Sequence, residues 1–521
     1  MKKTIATILL ASMILLSGCT DKTNATPAKD SDPESAEKIL TFGTTGYFCN
    51  ESWDPAQGWD GWYIQYYGMA ETLFKLDDEL RAYPLLAESF ENTDETTWVF
   101  TLRDDVTFHN GDKMTASSVK GCFERTMSVN ARAEDSIPVE SIEADGQVLT
   151  IKTKKPVPTI ANDLCDPLWV VYNPDNTDNF ADMTYFTGPY MPVSFDPNVE
   201  TVVTKNENYW GETPKLDKAV FKTITDEDAL IMGLQNGEID VVVPLSSTQY
   251  PVIKGNDKFA VDDPVATRGE FFQFNLERPV FKDKAVRKAI AMCIDREGFA
   301  NTICNGLDAP SYGVYSDILS YGGIEGLSPE VAKMDVEGAK ALLKDAGYAD
   351  TNGNSILDKD GVELSFEVVL YSTYTAQIQM LEVLQNTLKD LGVEMKIKAL
   401  ETPNDFVHAG NFDLASVSYG MAPTGNPQYF INLMFASTGS SNFGHYSNPE
   451  VDRLAEKLAS TFDENERLAI VREIENIIIN DFGFVFFGHE KFPVAYNTST
   501  VKNIHVNPSE YYILDSSVEA Y

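Results

Sequence analysis

Residues 364–400 carry the pattern that most restricts how this chain can fold. LSFEVVLY (364–371) reads as a strand, AQIQMLEVLQNTLKDL (376–391) has helical spacing, Gly392 stops that helix, and VEMKIKAL (393–400) alternates apolar and polar residues. A strand, helix, strand run of this kind is a right-handed crossover joining parallel strands. Ligands in such open sheets sit beyond the carboxyl ends of the strands, here Tyr371-Ser372-Thr373-Tyr374. A further strand, Phe412 to Ser418, runs into Tyr419–Pro427, a Gly- and Pro-rich loop long enough to line a cleft. Elsewhere, Asp335 is placed to cap VEGAKALLKDA with Gly347 as its stop, 283–295 puts Val286, Ala289, Ile290 and Cys293 on one side, and 463–479 is an amphipathic helix with a charged outer face. Strand-like and helix-like segments alternate with no solenoid repeat, which gives an α/β class.

At 521 residues the chain is too long for one simple core, so two or more packed units are expected. A net charge of -38 excludes a nucleic-acid partner, because phosphate binding needs clustered cations. The N-terminus is the most specific local signal. Lys2 and Lys3 precede an apolar stretch from Ile5 to Leu16, and Leu16-Ser17-Gly18-Cys19 resembles a bacterial lipobox. That resemblance implies a signal peptide over 1–18, cleavage before Cys19, and a diacylglycerol on its sulfur. Residues 19–38 then form the lipidated Cys and a polar, flexible tether. The membrane is met through this anchor alone, since no later stretch is long and apolar enough to span a bilayer. Cys49, Cys122, Cys165, Cys293 and Cys304 are odd in number and contain no C-x-x-C. A zinc site is unsupported, and pairing, for instance of Cys293 with Cys304, stays open.

Eight strings along the chain, in order, resemble the peptide/nickel class of ABC-transporter solute-binding proteins. They are Trp53-Asp54-Pro55-Ala56 with ETLFKLDDELRAYPLLAESFE (71–91), TWVFTLRDDVTFHNGDKMTASSVK (97–120), TGPY (187–190), KNENYWGETPKLDKAVFK (205–222), LQNGEIDVV (234–242), FNLERPVFKDKAVRKAIAMCIDRE (274–297), AKALLKDAGY (339–348) and SNFGHYSNPEVDRL (441–454). The resemblance implies a two-lobed periplasmic-binding-protein fold of type II that closes by a hinge on its guest. By analogy, lobe I covers 39–270 with an extra subdomain inserted at about 65–180, lobe II covers 271–489, and 490–521 returns to lobe I. It also implies a monomer at the outer face of the cytoplasmic membrane that delivers a small ligand to an ABC permease and its ATPase subunits. Peptide is the first ligand class expected, and nickel or a nickel chelate the second.

No enzyme is expected, and no cofactor. The five histidines form no H-E-x-x-H, and neither G-x-S-x-G nor a phosphate loop occurs. Aromatic and polar side chains near the expected cleft are the ligand-binding candidates: Tyr47, Phe48, Asn50, Trp53, Trp169, Tyr371, Tyr419 and Met421, with Cys49, Trp59, Trp62 and Tyr374 beside them. Peptide-binding relatives commonly fix the ligand amine with an Asp in the loop after the FDL strand, and Asn426 stands there in this chain. For a nickel chelate, His445 lies near where that branch places its single histidine, whereas the Arg it uses for the chelator has no counterpart in DLCDPLWVVYN (163–173). Asp350, Asn352, Asn354 and Asp358 occupy the first, third, fifth and ninth places of a calcium-like loop. Ser355 replaces the usual Gly and Gly361 the usual Glu, so the segment reads more simply as a hairpin turn.

Overall fold

The computed structural model describes residues 37–45, 52–175 and 179–521. Cys19, the signal peptide, and Tyr47, Phe48, Cys49 and Asn50 lie outside the described residues. The expected crossover is present. Strand Ser365–Tyr371 pairs in parallel with Glu394–Leu400 over its whole length, and helix Thr375–Asp390 connects them. Gly392 ends that connection at φ +82°, a left-handed conformation that glycine adopts without a Cβ penalty. Asp335 caps its helix by accepting from the Gly338 amide, and Asp463 caps helix Glu464–Asp481 in the same way.

Two large sheets carry the lobes. The first has seven strands in the order Phe259–Asp262, Val494–Asn497, Val241–Val242, Ile39–Thr44, Lys218–Thr223, Glu200–Lys205, Tyr190–Asp196. The second has six, in the order Asp308–Pro310, Phe484–Lys491, Val265–Phe274, Leu414–Gly420, Ser365–Tyr371, Glu394–Leu400. Between the first sheet's strands the chain inserts a four-stranded antiparallel sheet, Ala87–Asp94, Thr97–Leu102, Val148–Thr153, Val139–Asp145. The chain passes from one large sheet to the other at 263–264 and returns at 492–493, because Val265 already pairs with Lys491 in the second sheet.

Successive residues of a strand point to opposite faces, and the second sheet uses both. Phe271 packs on Phe430 and Phe486, while Phe272 packs on Phe487 on the other side beneath helix Thr375–Asp390. The Phe271 side belongs to a hydrophobic cluster that continues through Phe100 of the inserted sheet to Phe42 and Phe221 of the first sheet. One hydrophobic cluster thus runs through residues of both large sheets and the inserted sheet, beside separate clusters in each. Cys122, Cys165, Cys293 and Cys304 are buried free thiols, so Cys293 and Cys304 do not pair. No helix among the described residues is long and apolar enough to cross a membrane.

Candidate ligand cleft

The cleft is built on the loop Asp54–Trp59. Arg125 grips Asp54 with two parallel bonds, Nη1 to Oδ1 at 2.8 Å and Nη2 to Oδ2 at 2.6 Å, the bidentate geometry that suits a planar guanidinium. Asn130 then donates to the carbonyls of Ala56 and Gly58, at 3.1 Å each, and accepts from the Arg132 amide. The same asparagine therefore fixes both the aromatic loop and the start of the segment carrying Arg132. On the opposite wall, Asp166 caps the turn Pro167–Trp169 through the Leu168 amide. Gly61 allows the close approach of the walls, since a Cβ there would run into the Pro167 carbonyl oxygen.

These elements border a shallow recess, open to solvent, lined by Trp59, Trp62, Arg132, Asp166, Leu168 and Tyr511, among others. The Arg132 guanidinium lies 3.5 Å from the centre of the Trp59 ring, and its Nη2 is 3.5 Å from Asp166 Oδ2. Trp62 stacks with Tyr63, meets Tyr511 edge-on at 5.9 Å, and donates its indole N–H to the Glu510 carbonyl. From the second lobe come Tyr419 and Tyr429, hydroxyl to hydroxyl at 3.3 Å. Burial raises the Tyr429 hydroxyl far above its ordinary range, with the nearby Tyr419 adding to the rise and Arg132 opposing it. The result is a ring-lined pocket with one cation and one carboxylate held at its edge, suited to a compact guest bearing charge and flat surface.

Of the residues singled out from sequence, Trp59 and Trp62 come together here, and Tyr419 is linked to them through the hydroxyl of Tyr429, which feels the charge of Arg132. Tyr371 and Tyr374 pair at 5.2 Å at the carboxyl end of their strand. Four candidates are taken up by packing or by bonds within the protein. Trp53 is buried against Phe195. Trp169 is buried against Phe123 and gives its N–H to Ser136. Met421 is buried, with its thioether against Gly269. Asn426 spends its amide on Thr159 and Asp163. His445 is exposed and lies 3.8 Å from Glu277, and its neighbour Gly444 sits against Phe274. Phe274 ends the strand Val265–Phe274, in which Gly269, five residues earlier, pairs with Tyr419, so most of the strand's length separates His445 from Tyr419.

The calcium-like loop is closed by its own hydrogen bonds. Asp350 accepts from Gly353 and Ser355, Asp358 is held by Thr351, and Asn352 and Asn354 donate to Glu363. It has the hydrogen bonding of an asparagine-rich turn. Arg132, Asp166, Tyr429 and Tyr511 were not foreseen. Only Asp166 carries a local signal, the Asp-Pro pair that caps a turn.

A family model described as "Bacterial extracellular solute-binding proteins, family 5 Middle" matches residues 81–442. The nickel-binding protein NikA of Staphylococcus aureus is 28% identical over 449 residues, 86% of this chain and 88% of that one. The crystal structure of NikA from Staphylococcus aureus in complex with Ni(L-His)2 superposes with a TM-score of 0.76 at 26% identity, covering 93% of this chain and 100% of the other. That of the nickel ABC transporter from Bacillus halodurans superposes with a TM-score of 0.80 at 29% identity, covering 92% and 100%.

Proposed function

Because the chain belongs to the bacterial extracellular solute-binding proteins of family 5, which bind solutes for ABC importers and are not enzymes, we propose that its guest is a compact nickel–amino-acid chelate, with Arg132 as its anion anchor. One observation carries this reading: the Arg132 guanidinium sits 3.5 Å from the centre of the Trp59 ring, beside Trp62 and Tyr511, so a cation and flat aromatic surfaces are presented together. None of the described lining residues is a histidine, so a metal entering here would bring its own nitrogen ligands, as in the Ni(L-His)2 complex of the Staphylococcus aureus relative. Carboxylates on the outside of such a chelate suit the guanidinium, and imidazole or chelate rings suit Trp59, Trp62 and Tyr511.

A diacylglycerol on Cys19 would hold the mature chain, as a monomer, at the outer face of the cytoplasmic membrane, where the permease and its ATPase subunits receive the guest. Peptide is the second reading, and Asn426, spent within the protein, weighs against it.

Calorimetry with Ni(II) alone, Ni(II) with L-histidine, and a mixture of di- and tripeptides separates the two. Ni(II) with histidine is expected to bind and Ni(II) alone to fail. Arg132→Ala should weaken that binding by about 1.5–3 kcal/mol, ten- to a hundredfold, while His445→Ala leaves it unchanged. Saturable peptide binding with none of the nickel–histidine complex would reject the chelate.

A further inference from the structure

The loop Tyr419–Pro427 does more than border the cleft. Asn426 Nδ2 donates to Thr159 Oγ1 at 2.8 Å and to Asp163 Oδ1 at 2.7 Å, while its own Oδ1 accepts from the Gln428 amide. Thr159 Oγ1 donates to Asp163 Oδ2 at 2.9 Å, so both carboxylate oxygens are engaged. One residue earlier, Asn162 Nδ2 bridges the Leu80 carbonyl and the Thr424 carbonyl. Gly425, at φ +73°, lies so close to the Leu80 carbonyl that a Cβ would collide with it. The same loop is held from behind by hydroxyls of its own lobe, Tyr321 to the Gly425 carbonyl and Tyr315 to the Pro427 carbonyl.

Each bond from Asn426 and Asn162 that joins Thr424–Asn426 to helix Ile160–Asp163 or its cap Thr159 runs from the second lobe to the insert of the first. We propose that Asn426 and Asp163 form the clasp that holds the two lobes shut, and that Asn426 is a positioning residue for closure rather than a contact to the guest.

The chemistry suits a clasp that must let go. Asp163 and Asn426 are both buried, so the pair is shielded from water while closed and fully hydratable when open. Asp163 faces Asn426, Thr159, the guanidinium of Arg467 and, with like charge, Asp166. Arg467 binds the Leu458 and Thr461 carbonyls through Nη1, and its Nη2 is buried without a hydrogen-bond partner. It therefore offers Asp163 a field without a bond, and among the described residues the direct cross-lobe donor to the carboxylate is a neutral amide, which releases more easily than a salt bridge.

The test uses the mature chain without any guest, so its result is independent of which ligand is carried. Asn426→Ala should raise the radius of gyration in small-angle scattering. Amide exchange in 159–164 and 424–428 should speed up at least about tenfold, with the strand Ser365–Tyr371 unchanged. The exchanged pair Asn426→Asp with Asp163→Asn reverses donor and acceptor and should restore both readouts, whereas Asn426→Asp alone sets two carboxylates face to face and should open the lobes further. Wild-type scattering and exchange in Asn426→Ala, or no recovery in the exchanged pair when Asn426→Asp alone opens the lobes, would overturn the clasp. Should Asn426→Ala fail to fold, the comparison of Asn426→Asp with the exchanged pair decides alone.

Discussion

Raising the pH from 6.5 to 8.5 should destabilise this protein, because several carboxyls are buried with too little compensation. Burial pushes Asp163 and Glu510 up to about 7 and Glu475 up to about 8. Each binds a proton in the folded chain at a pH where the unfolded chain has lost it. Stability then falls as pH rises, with slope set by the difference in bound protons. Integrated over this interval, a carboxyl titrating near 7 costs about 1 kcal/mol and one near 8 about 2 kcal/mol, so the three together cost about 4 kcal/mol. Two buried imidazoles oppose this. His109 and His489, pushed down to about 4 by burial, are neutral in the fold while the unfolded chain still holds some proton near 6.5. Raising the pH relieves less than about 1 kcal/mol at the two together. The net loss from these five groups is about 3 kcal/mol, and Asp308, pushed up to about 8, and the buried thiols Cys122 and Cys293, pushed up to about 12, add to it. With an unfolding entropy of about 2.1 cal/mol/K per residue, the unit 38–521 unfolds with about 1 kcal/mol/K. Tm should therefore drop by at least about 3 °C, and by more if the lobes unfold separately. Differential scanning calorimetry at constant ionic strength measures it. A Tm at pH 8.5 equal to or above that at 6.5 would refute the assignment of these carboxyls as protonated in the fold.

The second sheet holds a related pair, Glu270 and Asp308, buried with a hydrogen bond between their carboxyls. Burial raises both, the charge of Asp308 adds to the rise at Glu270, and Glu490 adds like charge to both. Asp308→Asn should raise Tm by about 1–3 °C at pH 8.5 and by less at pH 6.5; a lower Tm at pH 8.5 would show that the bond between the two carboxyls outweighs the cost of burying them. Trp59 is 53% exposed yet lies under Arg132, so Trp59→Ala should leave Tm within about 1 °C while weakening Ni(II)–histidine binding by about 0.5–2 kcal/mol in calorimetry. Full affinity in that variant would remove Trp59 from the site.

Local structure was legible wherever the signal was local. The crossover at 364–400 was readable because period 2, period 3.6 and a stopping glycine follow one another within one segment, and the caps Asp335 and Asp463 announce themselves by position. The first sheet gave no such signal. Ile39–Thr44 pairs in parallel with Lys218–Thr223 and Val241–Val242, and Val494–Asn497 completes the far side, so its neighbours are hundreds of residues apart in sequence. Order along the chain, through the family resemblance, was the only guide to that assembly. For the cleft, composition could nominate aromatics but not orient them. Trp53 and Trp59 flank the same short loop, and the Arg125–Asp54 clamp turns the first into the core and leaves the second at the mouth. Arg132 and Asp166 are two charges among 41 basic and 79 acidic residues, and nothing marks them until Asn130 and the Pro167 turn set them 3.5 Å apart.

A carrier also needs a shut state that is only slightly preferred, since a guest shifts an equilibrium by no more than its differential affinity for the two forms. The contacts across this interface pull in opposite directions. Rings such as Tyr419, Phe430 and Trp62 join one continuous apolar cluster, which favours closure by roughly 25 cal/mol for each Å² removed from water. Against them stand carboxyls whose burial belongs to the closed form: Asp163 in the clasp, and Glu510 beneath Trp62, whose nearest cation, Arg268 of the crossing strand, is 3.9 Å away. Each costs stability while shut and regains water on opening. Placing such groups at the seam rather than in a lobe core keeps closure weak, while the two lobes keep apolar cores of their own. The guest can then decide the balance by filling the ring-lined space and occupying Arg132.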